Sequence, residues 1–248
     1  MTANVLATIA DGVATVTLNR PQSSNALTQD LRDDLKSVLE RLAKESSVGA
    51  VVLTGAGERA FCAGLDRTEL PAVLARLNDD NAPVEEDIAA IVANHPAPVI
   101  AAVNGVVMTG GLELMLACDF AIAADHARFA DTHARLGIAA MWGLTVRLPR
   151  RIGAARARQM SLTGEWVGAA QAAAWGLVNE VVPADELMPR AVALAAAVAG
   201  CDRDAVRVTR GLIEAGDEGG LAEGLVREKE RASSFNRART QRSEGGLE

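Results

Sequence analysis

Thr109-Gly110-Gly111, followed two residues later by Glu113 inside the run Leu112-Glu113-Leu114-Met115-Leu116-Ala117, is the stretch of this chain whose residue types promise chemistry. A glycine pair opening a helix leaves backbone N–H groups without intrahelical partners, and the positive end of the helix dipole lies behind them. Such donors suit a negative oxygen. One carboxylate in an otherwise apolar helix, about one turn away, adds a group able to move a proton. An oxyanion and a proton are the chemistry this spacing suggests. Each feature also has a structural use: an acid in a first helical turn offsets the dipole by a few tenths of a kcal/mol, and a glycine pair permits close packing. His133 lies in the polar stretch Arg128 to Gly137, where a lone histidine is most often solvated or structural. His95, beside Pro96, and His126, in a polar turn, read as structural, and Met141 and Trp142 as pocket wall or core.

Composition bounds the function. The chain has 248 residues, 49% hydrophobic and 23% charged, as a soluble globular protein has. That length suffices for one large α/β domain, with or without an appendage. A net charge of −7 argues against general nucleic-acid binding, and the absence of tyrosine excludes any mechanism that needs a tyrosine acid. Cys62, Cys118 and Cys201 are far apart and odd in number, which fits a reduced compartment and no metal cluster. The first residues, MTANVLATIADG, lack a basic region followed by an apolar core. No apolar stretch reaches the roughly 18 residues of a membrane span without a break. A soluble, cytoplasmic protein is the expectation.

The elements that must position these residues follow from periodicity. Val13 to Asn19 alternates as a strand, Arg20 to Asn25 is a polar loop, and Thr28 caps a helix running to about Lys44 with Leu31, Leu35, Val38, Leu39 and Leu42 on one face. Gly49 to Thr54 is an apolar strand entering a Gly55-Ala56-Gly57 loop. Two short helices joined by a polar loop, Asn78 to Pro83, fill Pro71 to Ala97. Val99 to Val103 is a buried strand ended by the turn dipeptide Asn104-Gly105, and Phe120 to Ala123 is another strand. Helices are expected at Gly143 to Ile152, Ala154 to Leu162 and Gly168 to Trp175, the last stopped by Gly176 ahead of a strand at Leu177 to Val182. Helices alone follow: Asp185 to Ala199, Asp204 to Ala215, and about Gly220 to Arg239. Strands alternating with helices and then helices alone suggest an α/β core over residues 1–183 and a C-terminal helical segment over 184–248.

Five stretches occur in an order and spacing that identify a resemblance: LNRPQSSNAL (Leu18 to Leu27), AFCAGLD (Ala60 to Asp66), PVIAAVNGVVMTGGLELMLACD (Pro98 to Asp119), RFADTHARLG (Arg128 to Gly137) and AAWGLVNEVVP (Ala173 to Pro183). With them the chain resembles the enoyl-CoA hydratase/isomerase family, the crotonase superfamily, over nearly its whole length. The resemblance implies an α/β spiral of ββα turns whose C-terminal helices mediate homotrimers or homohexamers. It implies an acyl-CoA thioester as substrate, with coenzyme A entering only as part of that substrate and no separate cofactor or metal. The thioester oxygen would be held by the backbone N–H groups of Leu65 and Gly110. Substrate contacts would come from Asn25, Ala26 and Leu27, from Ala60, Cys62, Ala63, Gly64 and Asp66, and from Gly111 and Trp142.

Hydratases of this family use two glutamates around the water they add. Glu113 matches the first; at the second, where the family often has F-x-x-P-E, this chain reads Phe129-Ala130-Asp131-Thr132-His133, so His133 stands in its place. The usual Pro-Gly before the next helix is matched by Ala140-Met141. Glu113 with His133 could hold a water and pass a proton. Asp131, Glu69 and Asp66 are other carboxylates for the second role, ranked lower because no spacing places them near the reacting carbon. The implied activity is hydration of a trans-2-enoyl-CoA, with double-bond isomerisation, or acyl-CoA binding without turnover, as the alternatives that the lost glutamate leaves open. In the last helix Arg227, Lys229, Arg231, Arg237, Arg239 and Arg242 outnumber Glu228 and Glu230, either as phosphate partners for coenzyme A or as a solvated face of ion pairs. The strand Ala50 to Leu53 with Gly55-Ala56-Gly57 imitates a dinucleotide-binding turn, but Phe61 to Gly64 interrupts the helix such a turn must open.

Overall fold

The computed structural model describes residues 3–77, 87–216 and 220–244. Strand β1 (Val5–Ala10) pairs antiparallel with β2 (Val13–Leu18). Asp11 at φ 49° and Gly12 at φ 80° form the two-residue turn between them, the left-handed geometry that suits a tight hairpin. Alternation alone starts the first strand at Val13; β1 carries four exposed residues and lacks a clean apolar face, so only the Asp-Gly dipeptide signals it. A short 3-10 turn at Pro21–Ser23 leads into helix α1 (Gln29–Ala43). Thr28 caps it as expected, its hydroxyl accepting the N–H of Leu31 at 3.2 Å, and Leu31, Leu35, Leu39 and Leu42 are buried.

Three turns of the spiral follow, each giving one strand to a large sheet and one to a small sheet. The first is β3 (Ala50–Gly55) and β4 (Ala60–Cys62), continued by helices α2 (Leu70–Leu77) and α3 (Ile88–Ala93). The expected loop Asn78 to Pro83 lies outside the described residues. The second is β5 (Val99–Val103), β6 (Val106–Met108) and helix α4 (Gly110–Ala117). The third is β7 (Phe120–Ala124), β8 (Arg128–Ala130) and helix α5 (His133–Leu136). Beyond it come α6 (Leu144–Ile152), α7 (Ala154–Thr163), β9 (Val167–Gly168), α8 (Ala169–Trp175), β10 (Glu180–Val182) and α9 (Leu187–Ala199).

Among the described residues the large sheet runs β1-β2-β3-β5-β7-β10, parallel after the first pair, and the small sheet runs β4-β6-β8-β9. The small-sheet strands are only two or three residues long. Such lengths show no period, which is why Arg128 to Gly137 reads as loop; Phe129 and Ala130 are in fact fully buried in β8. Asn104-Gly105 is likewise no hairpin turn. It carries the chain from one sheet to the other, and a Cβ on Gly105 would lie 2.6 Å from the carbonyl oxygen of Arg59. Helix α9 packs Leu187, Ala191 and Ala195 on Val52, Ile100 and Ile122, covering one face of the large sheet while α1 and α4 share the core on the other. Central strands covered on both faces are apolar throughout, as β5 is.

Contacts divide the chain into two compact units, Met1–Ala199 and Gly200–Glu248. Helix α9, grouped by sequence with the C-terminal helices after residue 183, packs within the first unit. The second unit contains α10 (Arg203–Gly216) and α11 (Leu221–Glu244), which pack on each other. No helix among the described residues is long and apolar enough to cross a membrane.

Candidate active site

Helix α4 is buried along its whole length, and its tip is made by a strained residue. Thr109 sits at φ 51° and ψ −118°, a conformation that L-residues rarely adopt. It is held there from three sides. Its N–H donates to the Ala130 carbonyl at 3.1 Å, its hydroxyl meets that of Thr132 at 2.7 Å, and its carbonyl accepts the N–H groups of Leu112 and Glu113. The N–H of Gly110 then heads the helix with no intrahelical acceptor.

The second amide comes from the segment after β4. Leu27 and Leu65 form a parallel bridge in which Leu27 N–H donates to Gly64 and Asp66 N–H donates to Leu27. In such a bridge the N–H of the middle residue points to the opposite side. The Leu65 N–H is therefore turned away from Leu27. It borders the same space as Gly110: a Cβ on Gly110 would stand 3.5 Å from Leu65 N and 3.1 Å from the Trp142 ring. Gly64, at φ 82°, permits this approach, since a Cβ there would lie 2.9 Å from Gly110 N. Two amides brought side by side at a helix tip are suited to accept a negative oxygen.

Glu113, 2% exposed, lies behind them. Its Oε1 accepts the N–H of Trp142 at 2.7 Å, from the loop entering α6, and of Leu144 at 3.4 Å, the first residue of that helix. Gly143, between the two donors, takes φ 95°. Oε2 lies 3.6 Å from Nε2 of His133. Burial raises the Glu113 carboxyl above the usual range, opposed by the Trp142 amide and the His133 ring. Oε1 is occupied as an acceptor, so Oε2 is the oxygen left facing His133.

His133 is 7% exposed, and its Nδ1 lies 2.7 Å from Oδ1 of Asp131, which also accepts the His133 backbone N–H at 3.1 Å. Burial pushes Asp131 up, but hydrogen bonds from His133 and the Ser161 hydroxyl outweigh it, and its carboxyl is held below the usual range. Asp131 is thus brought into the site through His133, where spacing had ranked it low. The other two carboxylates are engaged elsewhere: Asp66 pairs with Arg20 at 3.0 Å, and Glu69 accepts the N–H of Gln29.

These groups open on a cavity of about 800 Å³ with a largely apolar wall from Leu70, Val73, Met108, Leu136, Ile138 and Met141. Glu113, His133, Leu65, Gly110, Ala26, Ala63, Asp66 and Trp142 all line it. Six residues proposed as substrate contacts stand behind the wall instead. Asn25 is fully buried, bonded to the carbonyls of Ala56 and Ala60. Leu27 bridges Leu65 through its backbone, and Ala60 and Gly64 act through carbonyls and close approach. Cys62 accepts the Gly64 N–H on sulfur at 3.4 Å; burial pushes its thiol up to about 12, so it is neutral at pH 7. A Cβ on Gly111 would lie 2.2 Å from the Cys62 carbonyl oxygen, so that glycine exists for packing.

His95 is buried against the Ala97 carbonyl, and His126 is an exposed partner of the Glu58 carbonyl. The Gly55-Ala56-Gly57 turn enters strand β4 rather than a helix, unlike a dinucleotide site. No group of three or more His, Cys, Asp or Glu among the described residues is placed to hold a metal. In the second unit Arg227 donates to the Ala215 carbonyl and Arg231 to that of Gly211, Lys229 and Arg237 are exposed, and the side chains of Arg239 and Arg242 lie outside the described residues.

The family model for enoyl-CoA hydratase/isomerase matches residues 8–246. A short-chain-enoyl-CoA hydratase of Clostridium acetobutylicum is 35% identical over 227 residues, covering 92% of this chain and 87% of that protein. The solved enoyl-CoA hydratase of Bacillus anthracis superposes with a TM-score of 0.82 at 35% identity, over 93% of this chain and 90% of its own. That of Mycobacterium tuberculosis H37Rv gives 0.76 at 42% identity, over 94% and 99%. A two-sheet spiral, paired amides at the tip of a buried helix and a carboxylate behind them thus coincide with a match over almost the whole sequence, and the chain belongs to the enoyl-CoA hydratase/isomerase family of the crotonase superfamily.

Proposed function

We propose that this protein is an enoyl-CoA hydratase, adding water across the double bond of a trans-2-enoyl-CoA thioester. The observation that carries the reading is the 3.6 Å approach of Glu113 Oε2 and His133 Nε2 in the same cavity as the Leu65 and Gly110 amides. Two atoms at that separation can both hydrogen-bond one water, which at about 2.8 Å from each sits roughly 2.1 Å off their line.

The thioester carbonyl accepts from Leu65 and Gly110, which draws electrons from the conjugated double bond and makes its β-carbon electrophilic. One such preorganised donor is typically worth roughly 2.7–4 kcal/mol of barrier. The held water adds its oxygen to the β-carbon as it gives a proton to the basic member of the Glu113–His133 pair. Negative charge reaches the thioester oxygen, and the acidic member of the pair protonates the α-carbon. The pair ends with the proton count it began with. Coenzyme A takes part only as the substrate's carrier. We further infer a homotrimer or homohexamer, supported by the exposed Leu221, Leu225 and Val226 on α11 and testable by sedimentation equilibrium, where a monomer would refute it.

Loss of the conjugated enoyl-thioester absorbance measures the reaction. Wild type should hydrate short- or medium-chain substrates, Glu113→Gln should lose about 10³-fold in kcat, and His133→Ala about 10²-fold or more. No hydration by wild type, with acyl-CoA still bound, would overturn the reading. Movement of a 3,4 double bond into conjugation would then identify an isomerase.

A further inference from the structure

The family's second glutamate is replaced here by an imidazole, and an imidazole has a difficulty that a carboxylate lacks. Its two nitrogens are chemically different, and only one arrangement of proton and ring orientation presents a useful atom. Something must choose. The groups that face His133 are few. Asp131 meets Nδ1 at 2.7 Å, and Glu113 on α4 meets Nε2 at 3.6 Å. From α7 the Ser161 hydroxyl reaches Asp131 rather than the ring, and Arg135, on the same helix as His133, gives its Nε–H to the Thr163 carbonyl.

Asp131 accepts three hydrogen bonds, from the His133 ring, the His133 backbone and Ser161. As an ionised acceptor it can be satisfied at Nδ1 only by an N–H. That assigns the proton to Nδ1 and leaves Nε2 to exchange a proton with water or Glu113. We propose that Asp131 is a positioning residue of this active site: it fixes the tautomer and orientation of His133, so that Asp131, His133 and Glu113 act as one relay holding a single mobile proton between Nε2 and Oε2. The proposal rests on the hydratase reading for its kinetic consequences but not for its structural content. Its logic is that of a carboxylate behind a catalytic histidine, where the carboxylate does not itself take up the proton.

The relay also explains how a His can replace a Glu. A neutral imidazole beside Glu113 would leave the pair without the negative charge that a second carboxylate brings. Asp131 returns that charge one bond further out and leaves the total at the site unchanged. During water addition the proton taken from water rests at Nε2 or Oε2, and that delivered to the α-carbon leaves from the same pair. No proton passes to Asp131.

The test has one arm that needs no activity and one that does. ¹⁵N NMR of the histidine rings in wild type, with His133 assigned by comparison with His133→Ala among the chain's three histidines, should show the Nδ1-protonated form. An Nε2-protonated, neutral ring would overturn the proposal even if the enzyme hydrates nothing. The kinetic arm compares Asp131→Asn with wild type. We expect kcat to fall roughly 100-fold or more while KM, and the Kd for a saturated butanoyl-CoA, stay within about 3-fold. The alkaline limb of kcat/KM, where the pair loses its proton, should move to lower pH, because the anion that favoured the proton is gone. Asp131→Glu should recover part of kcat by keeping the charge. A kcat within about 3-fold of wild type, or a loss wholly in KM with an unmoved pH profile, would sink the proposal. Should Asp131→Asn fail to fold, the wild-type NMR result alone decides.

Discussion

Glu113 is buried at a cost to the fold. Burial raises its pKa, so the folded state holds the proton to higher pH than the unfolded chain does. The stability so gained is complete below the unfolded value, near 4.3, and is lost as pH rises through the raised folded value. Glu113→Gln keeps an acceptor for the Trp142 N–H and offers an amide N–H to His133 without that penalty. Thermal denaturation should therefore show the variant equal to wild type in acid and more stable at pH 8, alongside its lost activity. An inactive variant with no stability gain at pH 8 would show that the ionised carboxylate is better solvated than its burial implies. Glu113 was legible in the sequence because a lone acid in an apolar helix has few structural uses. Asp131 was not, since its importance comes from a 2.7 Å contact to a histidine whose own role follows only from meeting Glu113 across the fold.

At the scale of elements, the close approach of the Leu65 and Gly110 amides is a packing achievement of glycines. Gly64→Ala would place a Cβ at φ 82° and 2.9 Å from Gly110 N, forcing apart the two segments that bring the donors together. A loss of about 10²-fold or more in kcat is expected, with a smaller effect on acyl-CoA affinity measured by calorimetry. Gly111→Ala acts differently. Its Cβ would stand 2.2 Å from the Cys62 carbonyl, so β4 and α4 must separate, and urea denaturation should show a loss of about 3 kcal/mol or more. The glycine pair was visible in the sequence as a helix start, but both glycines looked alike there. Only the approach of β4 separates Gly110, which borders the cavity, from Gly111, which is pressed against the Cys62 carbonyl. The small-sheet strands were invisible for a related reason: two or three residues carry no period, and their pairing is set by neighbours distant in sequence.

In the whole molecule, the crossings between the two sheets are tied by two asparagine amides, one of them fully buried. Asn25 joins the carbonyls of Ala56 and Ala60 and accepts the Arg20 N–H, while Asn104 joins those of Gly57 and Ala60 and accepts the Gly55 N–H. Asn25→Ala should cost about 1–3 kcal/mol by urea denaturation, since it leaves buried carbonyls short of donors. Because these crossings also set the segment that presents Leu65, activity should fall with the same variant; unchanged stability would mean that water replaces the amide. The sequence by itself determined the buried strands β2, β3, β5 and β7, the capped helix α1, the buried helix α4 and the acid within it, because those follow from local period, propensity and polarity. Tertiary structure alone decided which two amides share one space, which glycine donates and which merely fits, and that a histidine with an aspartate behind it faces Glu113. Those are relations between segments 20 to 50 residues apart, and no local pattern records them.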